Sequence, residues 1–181
     1  MRMSRSLVSL ACASLVLVAH PAAAGTDDWA TASDIVRDGL VLAALGAPVV
    51  QGDWQGLKQS GLSLAVTGGT SYALKQTIHE TRPDGSNDES FPSGHTSISF
   101  ASAATLQNRY GWKVGVPAHL AAAFVGVARV EADKHYWHDV VAGAAIGEAA
   151  GQLLTTRAND RVHVMPWGSA HGGGVAVAAV F

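Results

Sequence analysis

Cysteine is almost missing from this sequence: Cys12 is the single one among 181 residues. It falls in a stretch that reads as an export leader. Arg2 and Arg5 form the basic start, Leu7 to Ala19 the apolar run, and Ala22-Ala23-Ala24 the small-residue cleavage site. The run is about 13 residues, short of the ~20 that a spanning helix needs. With residues 1–24 removed no thiol remains, which excludes disulfide scaffolding and cysteine chemistry. Charge is also scarce, at 14% of residues, and slightly acidic at a net −2. Without Arg2 and Arg5, 10 basic residues face 14 acidic ones, a net −4. A nucleic-acid binder would want a basic face, so that partner class is excluded.

Long apolar runs are lacking as well. The longest after the leader, Val114 to Ala128, is 15 residues and contains Pro117 and His119. None reaches a confident span. The expectation is an exported, periplasmic or envelope-associated protein, water-soluble or bound at a membrane surface. An integral membrane protein stays as the alternative, because mean hydropathy is positive.

What is abundant is Gly and Ala, which points to closely packed helices in a single domain over residues 25–181. Ser33 or Asp34 reads as the N-cap of a first helix reaching Leu45, burying Ile35, Val36, Leu40, Val41 and Leu42, with Gly46 and Pro48 ending it. Gln51 to Gln59 reads as a polar connection. A second helix spans Leu62 to Ile78, where Gly68-Gly69 costs up to about 2 kcal/mol against Ala and implies a close neighbour. Arg82 to Pro92 is turn chemistry. A third helix runs from Gly94 to Tyr110, with Gly111 as its terminator. A fourth starts near Pro117 and reaches Arg129. A fifth, Lys134 to Leu154, carries Gly143, Gly147 and Gly151 along one side, a spacing that admits a close partner helix. After this helical core, residues 62–154, the alternation in Val162 to Met165 and Val175 to Ala178 predicts a hairpin around the link Gly168 to Gly174. The fold class is therefore all-α, a bundle of about five helices with a short C-terminal hairpin over residues 162–181.

Between apolar segments lies Arg129-Val-Glu-Ala-Asp-Lys-His-Tyr-Trp-His-Asp139. Such a charge cluster beside a core needs partners or a task. If the segment is helical, His135 and Asp139 share a face, and the carboxylate holds one imidazole nitrogen while the other acts. Read alone, Glu131, His135 and His138 serve equally well as metal ligands. Two further stretches change the balance. Lys75 and Arg82 flank a helix end. Pro92-Ser93-Gly94-His95 opens a helix whose N–H groups can cradle an anion. Three cations (Lys75, Arg82, Arg129), a donor loop (Ser93, Gly94) and two histidines (His95, His135) make an inventory for phosphoryl transfer.

Lys75-x6-Arg82-Pro83, Pro92-Ser93-Gly94-His95 and Arg129-x5-His135-x3-Asp139 together resemble the type 2 phosphatidic acid phosphatases, which share their site with bacterial acid phosphatases and vanadium haloperoxidases. The likeness covers about Leu62 to Leu154, and Ala128 stands where that family usually has Ser. The resemblance implies a metal- and cofactor-independent hydrolase of phosphate monoesters, with lipid phosphate or pyrophosphate favoured over soluble ones. It implies His135 as the nucleophile that forms a phosphohistidine, Asp139 as its support, and His95 as general acid and then base. It implies Lys75, Arg82, Ser93, Gly94 and Arg129 as phosphate ligands. The alternatives are a vanadate-dependent haloperoxidase and a non-catalytic metal-binding envelope protein. His79, His119, His138, His163 and His171 are read as structural or surface residues, Trp112 and Trp137 as the rim of an acyl groove.

Overall fold

The computed structural model describes residues 25–157, 162–169 and 172–179. The expected leader, with Cys12, lies outside them. Among the described residues are α1 (Thr26–Gln51), α2 (Trp54–Thr77), α3 (Gly94–Tyr110), α4 (Trp112–Glu131), α5 (Trp137–Leu154), β1 (Val162–Ser169) and β2 (Gly172–Ala179). The five-helix expectation holds; several boundaries do not.

α1 begins eight residues or so before its expected cap, and Ser33 is a buried interior residue whose hydroxyl donates to the Ala30 carbonyl at 2.7 Å. Its buried face is Ser33, Leu40, Ala44 and Pro48, whereas Ile35 and Leu42 point outward. Leu40 is buried and Val36 and Val41 half-buried as expected, and the rest of the packed face is made of small residues that apolar periodicity does not mark. Pro48 also sits inside the helix, which runs on to Gly52 at φ 67°, a left-handed terminator suited to glycine. The N–H that Pro48 lacks costs α1 one helical hydrogen bond, while its ring is packed in the core.

The polar connection shrinks to Gly52-Asp53. Asp53 accepts from the Gly56 N–H at 2.9 Å and so starts α2 directly. α2 buries Gly56, Ser60, Ser63, Thr67 and Ser71, spaced three and four apart. Gly68 and Gly69 lie off that stripe: an added Cβ at Gly69 meets nothing within 4 Å. The close neighbour expected there is absent.

α3 is the central element and touches all four other helices. Its bounds are those expected, with Ser93 as cap and Gly111, at φ 86°, behind it. Leu40, Ala44, Ala103, Leu106, Ala118 and Ala122 form the core cluster. The α5 glycines behave as read: a Cβ at Gly147 would stand 2.0 Å from the Ser97 carbonyl oxygen, and one at Gly143 2.5 Å from that of Ser93. α4 starts five residues before Pro117, which lies within it. α5 starts at Trp137, so His135 precedes the helix and shares no helical face with Asp139. The tail is a hairpin with Val162 opposite Ala179 and Ser169 opposite Gly172. Gly168, Gly172, Gly173 and Gly174 belong to its strands and not to a link.

Candidate active site

The chain order places four helix ends together. Lys75 is in the last turn of α2 and Arg129 in the last turn of α4, where a helix's negative pole favours cations. His95 is in the first turn of α3 and Asp139 in the first turn of α5. Residues 78–93 fold back between α2 and α3 through paired Glu80 and Glu89, and bring Arg82 to the same end.

His135 and Asp139 are buried, at 2% and 0% exposure. Asp139 Oδ2 accepts from the Ser90 hydroxyl at 2.6 Å and the Tyr136 N–H at 2.9 Å. Its distance to His135 Nδ1 is 3.5 Å, too long for a hydrogen bond, so Nδ1 lacks a partner among the described residues. Catalytic hydrogen bonds are often loose until substrate tightens them. Burial, then Arg82, Arg129 and Lys75, push the His135 imidazole well below its ordinary value, outweighing Asp139. The neutral form of the His135 imidazole is thus the favoured one at ordinary pH. Burial alone would raise Asp139; the Ser90 and Tyr136 donors, with Glu80 and His135, hold it below the usual carboxylate range.

The three cations converge around this dyad. Lys75 Nζ donates to the carbonyls of Glu89 at 2.5 Å and Ser90 at 3.3 Å. Burial and the neighbouring Arg82 push it down to about 8. Arg82 is steered by Asn87 Oδ1 at 2.8 Å and by the Lys134 carbonyl at 3.4 Å. Arg129 is 6% exposed; its NH1 reaches only Ser33 Oγ at 3.4 Å and its Nε has no partner. Burial is the main force lowering it. A buried guanidinium with no carboxylate against it is costly unless an anion arrives.

At the α3 N-terminus, the first-turn N–H groups of Gly94 and His95 precede any intrahelical acceptor. A Cβ on Gly94 would meet only Lys75 Cε, at 4.0 Å. Ser93, expected as a hydroxyl donor to the ligand, is fully buried and its Oγ pairs with Thr96 Oγ1 at 2.9 Å. The structure places it as the helix cap. His95 Nε2 lies 2.6 Å from Asp34 Oδ1 and also contacts the Arg37 guanidinium. Burial, Arg129 and Arg37 bring it down to about 4, while Asp34 acts the other way.

Sequence reasoning missed Ser33, Asp34, Arg37, Glu80 and Ser90. Asp34 and Arg37 stand one helical turn apart, a spacing visible in the sequence, yet nothing there ties α1 to His95. The metal alternative also changes: Glu131 is exposed on the last turn of α4, away from the grouping found. Among the described residues, Glu80, His138 and Asp139 offer three ligand atoms within 4.8 Å of one another. His138 already occupies that space, its Nε2 at 2.8 Å from Glu80 and 3.2 Å from Asp139, its ring stacked on Tyr136. An imidazole set between two carboxylates accounts for the cluster. His119 is satisfied between the Gly115 carbonyl and Glu148, as expected of a structural histidine.

Comparison with known proteins follows the same residues. The chain is 36% identical over 100 residues to a lipid A 1-phosphatase of Porphyromonas gingivalis, covering 54% of this chain and 22% of that protein. It is 29% identical over 116 residues to a lipid A 4'-phosphatase of Helicobacter pylori, covering 58% and 59%. The chain thus spans less than two thirds of these relatives' length. The crystal structure of Aquifex aeolicus LpxE superimposes with a TM-score of 0.60 at 21% identity, over 70% of this chain and 82% of that one, and shows a common fold. The family model of the PAP2 superfamily matches residues 56–162, which include all three motifs and four of the five helices; the chain belongs to the PAP2 superfamily.

Proposed function

We propose that this chain is a phosphatase acting on a lipid phosphate through a covalent phosphohistidine, without a metal. The observation that carries it is Arg129: a buried guanidinium with an unpartnered Nε, set beside a neutral His135 and two further cations. Fixed cations and N–H donors are what three equatorial phosphoryl oxygens require.

In the first step the free nitrogen of His135 attacks phosphorus, the bond to the alkoxide oxygen breaks, and His95 gives that oxygen its proton. Asp139 accepts a hydrogen bond from the Nδ1–H, which stays on the ring as it becomes cationic. In the second step neutral His95 removes a proton from water, the resulting hydroxide attacks phosphorus, and the P–N bond breaks. Inorganic phosphate leaves and His95 is again protonated. Lys75, Arg82, Arg129 and the Gly94 N–H hold the phosphate throughout; Ser93 acts by fixing the α3 terminus. The unliganded His95 is protonated only in acid, and a bound phosphate dianion favours its charged form.

The lipid reading rests on the relatives' substrates and on exposed apolar side chains around the bundle. Trp137 opens α5 beside His135 and suits the mouth. Trp112 does not: it begins α4, about 25 Å of helix away from Arg129. We infer a single exported domain at the envelope, bound to a membrane surface. α4 is the one described helix long and apolar enough to cross a bilayer. α1 carries Arg37 and an exposed Asp38 at its middle, at a cost of about 2.5–3.5 kcal/mol per charge at a bilayer centre.

The test is a substrate panel of lipid and soluble phosphates on the purified protein, with quenched-flow mass spectrometry for phosphate on His135. His135→Ala is expected to be inactive and unlabelled, and EDTA to leave the wild type unaffected. Substantial activity in His135→Ala would refute the mechanism.

A further inference from the structure

α1 lies entirely outside the segment that matches the family model, which begins at residue 56. Yet one of its turns reaches the site residues Arg129 and His95. Ser33 accepts from Arg129, and Asp34 Oδ1 stands 2.6 Å from His95 Nε2. Arg37 NH1, which only donates, stands 3.3 Å from Asp34 and also against that same Nε2, where an Nε2–H can donate to Asp34 but not to the guanidinium. Arg37 is itself anchored by Asp38 at 2.8 Å.

A general acid and base that works twice per turnover has to present the same nitrogen each time. An imidazole flanked by a carboxylate on one nitrogen keeps its proton there and exchanges through the other. We propose that Asp34 is the positioning residue for His95: it holds the Nε2–H, so that Nδ1 gives the leaving alcohol its proton and then takes one from water, while Arg37 fixes the Asp34 carboxylate. The inference rests on the phosphatase reading above. It gives the site two carboxylate–histidine pairs, one from α5 for the nucleophile and one from α1 for the proton carrier.

The two α1 residues act on His95 with opposite signs. Arg37, with Arg129 of α4, disfavours the imidazolium, and Asp34 favours it. These are the charged groups that face His95 from the helices packed on it. Removing Asp34 therefore lowers the pH at which His95 loses its proton, and removing Arg37 raises it. The competing explanation is an ordinary i,i+3 ion pair on a helix surface that happens to touch a histidine. An ion pair of that kind would shift stability without shifting a pH profile.

The experiment follows hydrolysis of a soluble phosphomonoester against pH in Asp34→Asn, Asp34→Glu, Arg37→Gln and, as a surface control on the same helix, Asp27→Asn. Asp34→Asn is expected to lower kcat about 10²-fold with KM nearly unchanged, and to move the alkaline limb of kcat/KM to lower pH. Arg37→Gln should move that limb to higher pH, Asp34→Glu should recover most of kcat, and Asp27→Asn should match the wild type. Nitrogen-15 NMR of the His95 ring supplies a readout that does not depend on turnover: an Nε2–H tautomer in the wild type, lost in Asp34→Asn. Unchanged kcat, pH limb and tautomer in folded Asp34→Asn, with His95→Ala inactive, would overturn the proposal and leave the phosphatase reading intact. Full activity in His95→Ala would overturn both.

Discussion

Arg129 is where the cost of the site is concentrated in one side chain. It is nearly fully buried, its Nε is unpartnered, and its neighbours include Arg82 and Arg37. Replacing this buried charge by an apolar side chain of similar length removes a desolvation cost and the repulsion of Arg82 and Arg37, and loses a hydrogen bond to Ser33 and the attraction of Asp34 and Asp84. Arg129→Met is therefore expected to melt at the same temperature as the wild type or higher, while kcat falls about 10²–10³-fold, as for the loss of an oxyanion donor. Paired thermal melts and steady-state kinetics decide this; a variant that lost stability together with activity would mark Arg129 as a structural residue. At this scale the sequence was informative wherever chemistry is written in spacing: Lys75, Arg82, His95, Arg129, His135 and Asp139 do converge. It did not show that Ser93 also caps α3, or that Asp34 has a partner 61 positions away.

At the scale of elements, glycine position separates packing from tolerance. The α5 stripe Gly143, Gly147 and Gly151 lies against the α3 backbone with no room for a Cβ, which is why α3 and α5 can both bring their N-termini to the site. Gly69, also inside a helix, faces open space. Gly147→Ala is expected to destabilise by about 1–3 kcal/mol through overpacking. Gly69→Ala is expected to stabilise by about 0.5–1 kcal/mol, since the helix gains at no steric cost. Denaturant melts of the two variants should differ in sign; equal effects would mean α3 and α5 are not packed backbone to backbone. From sequence the two glycine clusters read alike. Only the i, i+4, i+8 repeat of the first distinguished a contact face from an exposed pair. The same limit explains α1: the packed face runs through Ser33, Leu40, Ala44 and Pro48, and only Leu40 stands out in the apolar pattern.

Across the described residues, small polar side chains share the interior with the apolar core. The hydroxyls of Ser60, Ser63, Thr67 and Ser99 are buried with no hydrogen-bond partner among those residues, while Trp112, Val116, Leu120 and Val127 line the outside of α4, and Trp137 and Val141 that of α5. Nothing in the described chain covers either stripe, and stripes of this kind on a surface mark an apolar partner. The chain's net charge of −2 gives no electrostatic attraction to anionic lipid, so the area of these side chains has to supply the affinity. The purified protein is thus expected to co-sediment with phosphatidylcholine vesicles, and to do so equally in high salt. Leu120→Asp with Val141→Asp should abolish co-sedimentation and lower turnover of a vesicle-borne lipid phosphate. Both positions lie outside the site, so hydrolysis of a soluble phosphomonoester should be unchanged. Undiminished vesicle binding by the double variant would assign the affinity to some other surface. Loss of soluble-substrate hydrolysis as well would mean the stripes support the fold and not a lipid contact.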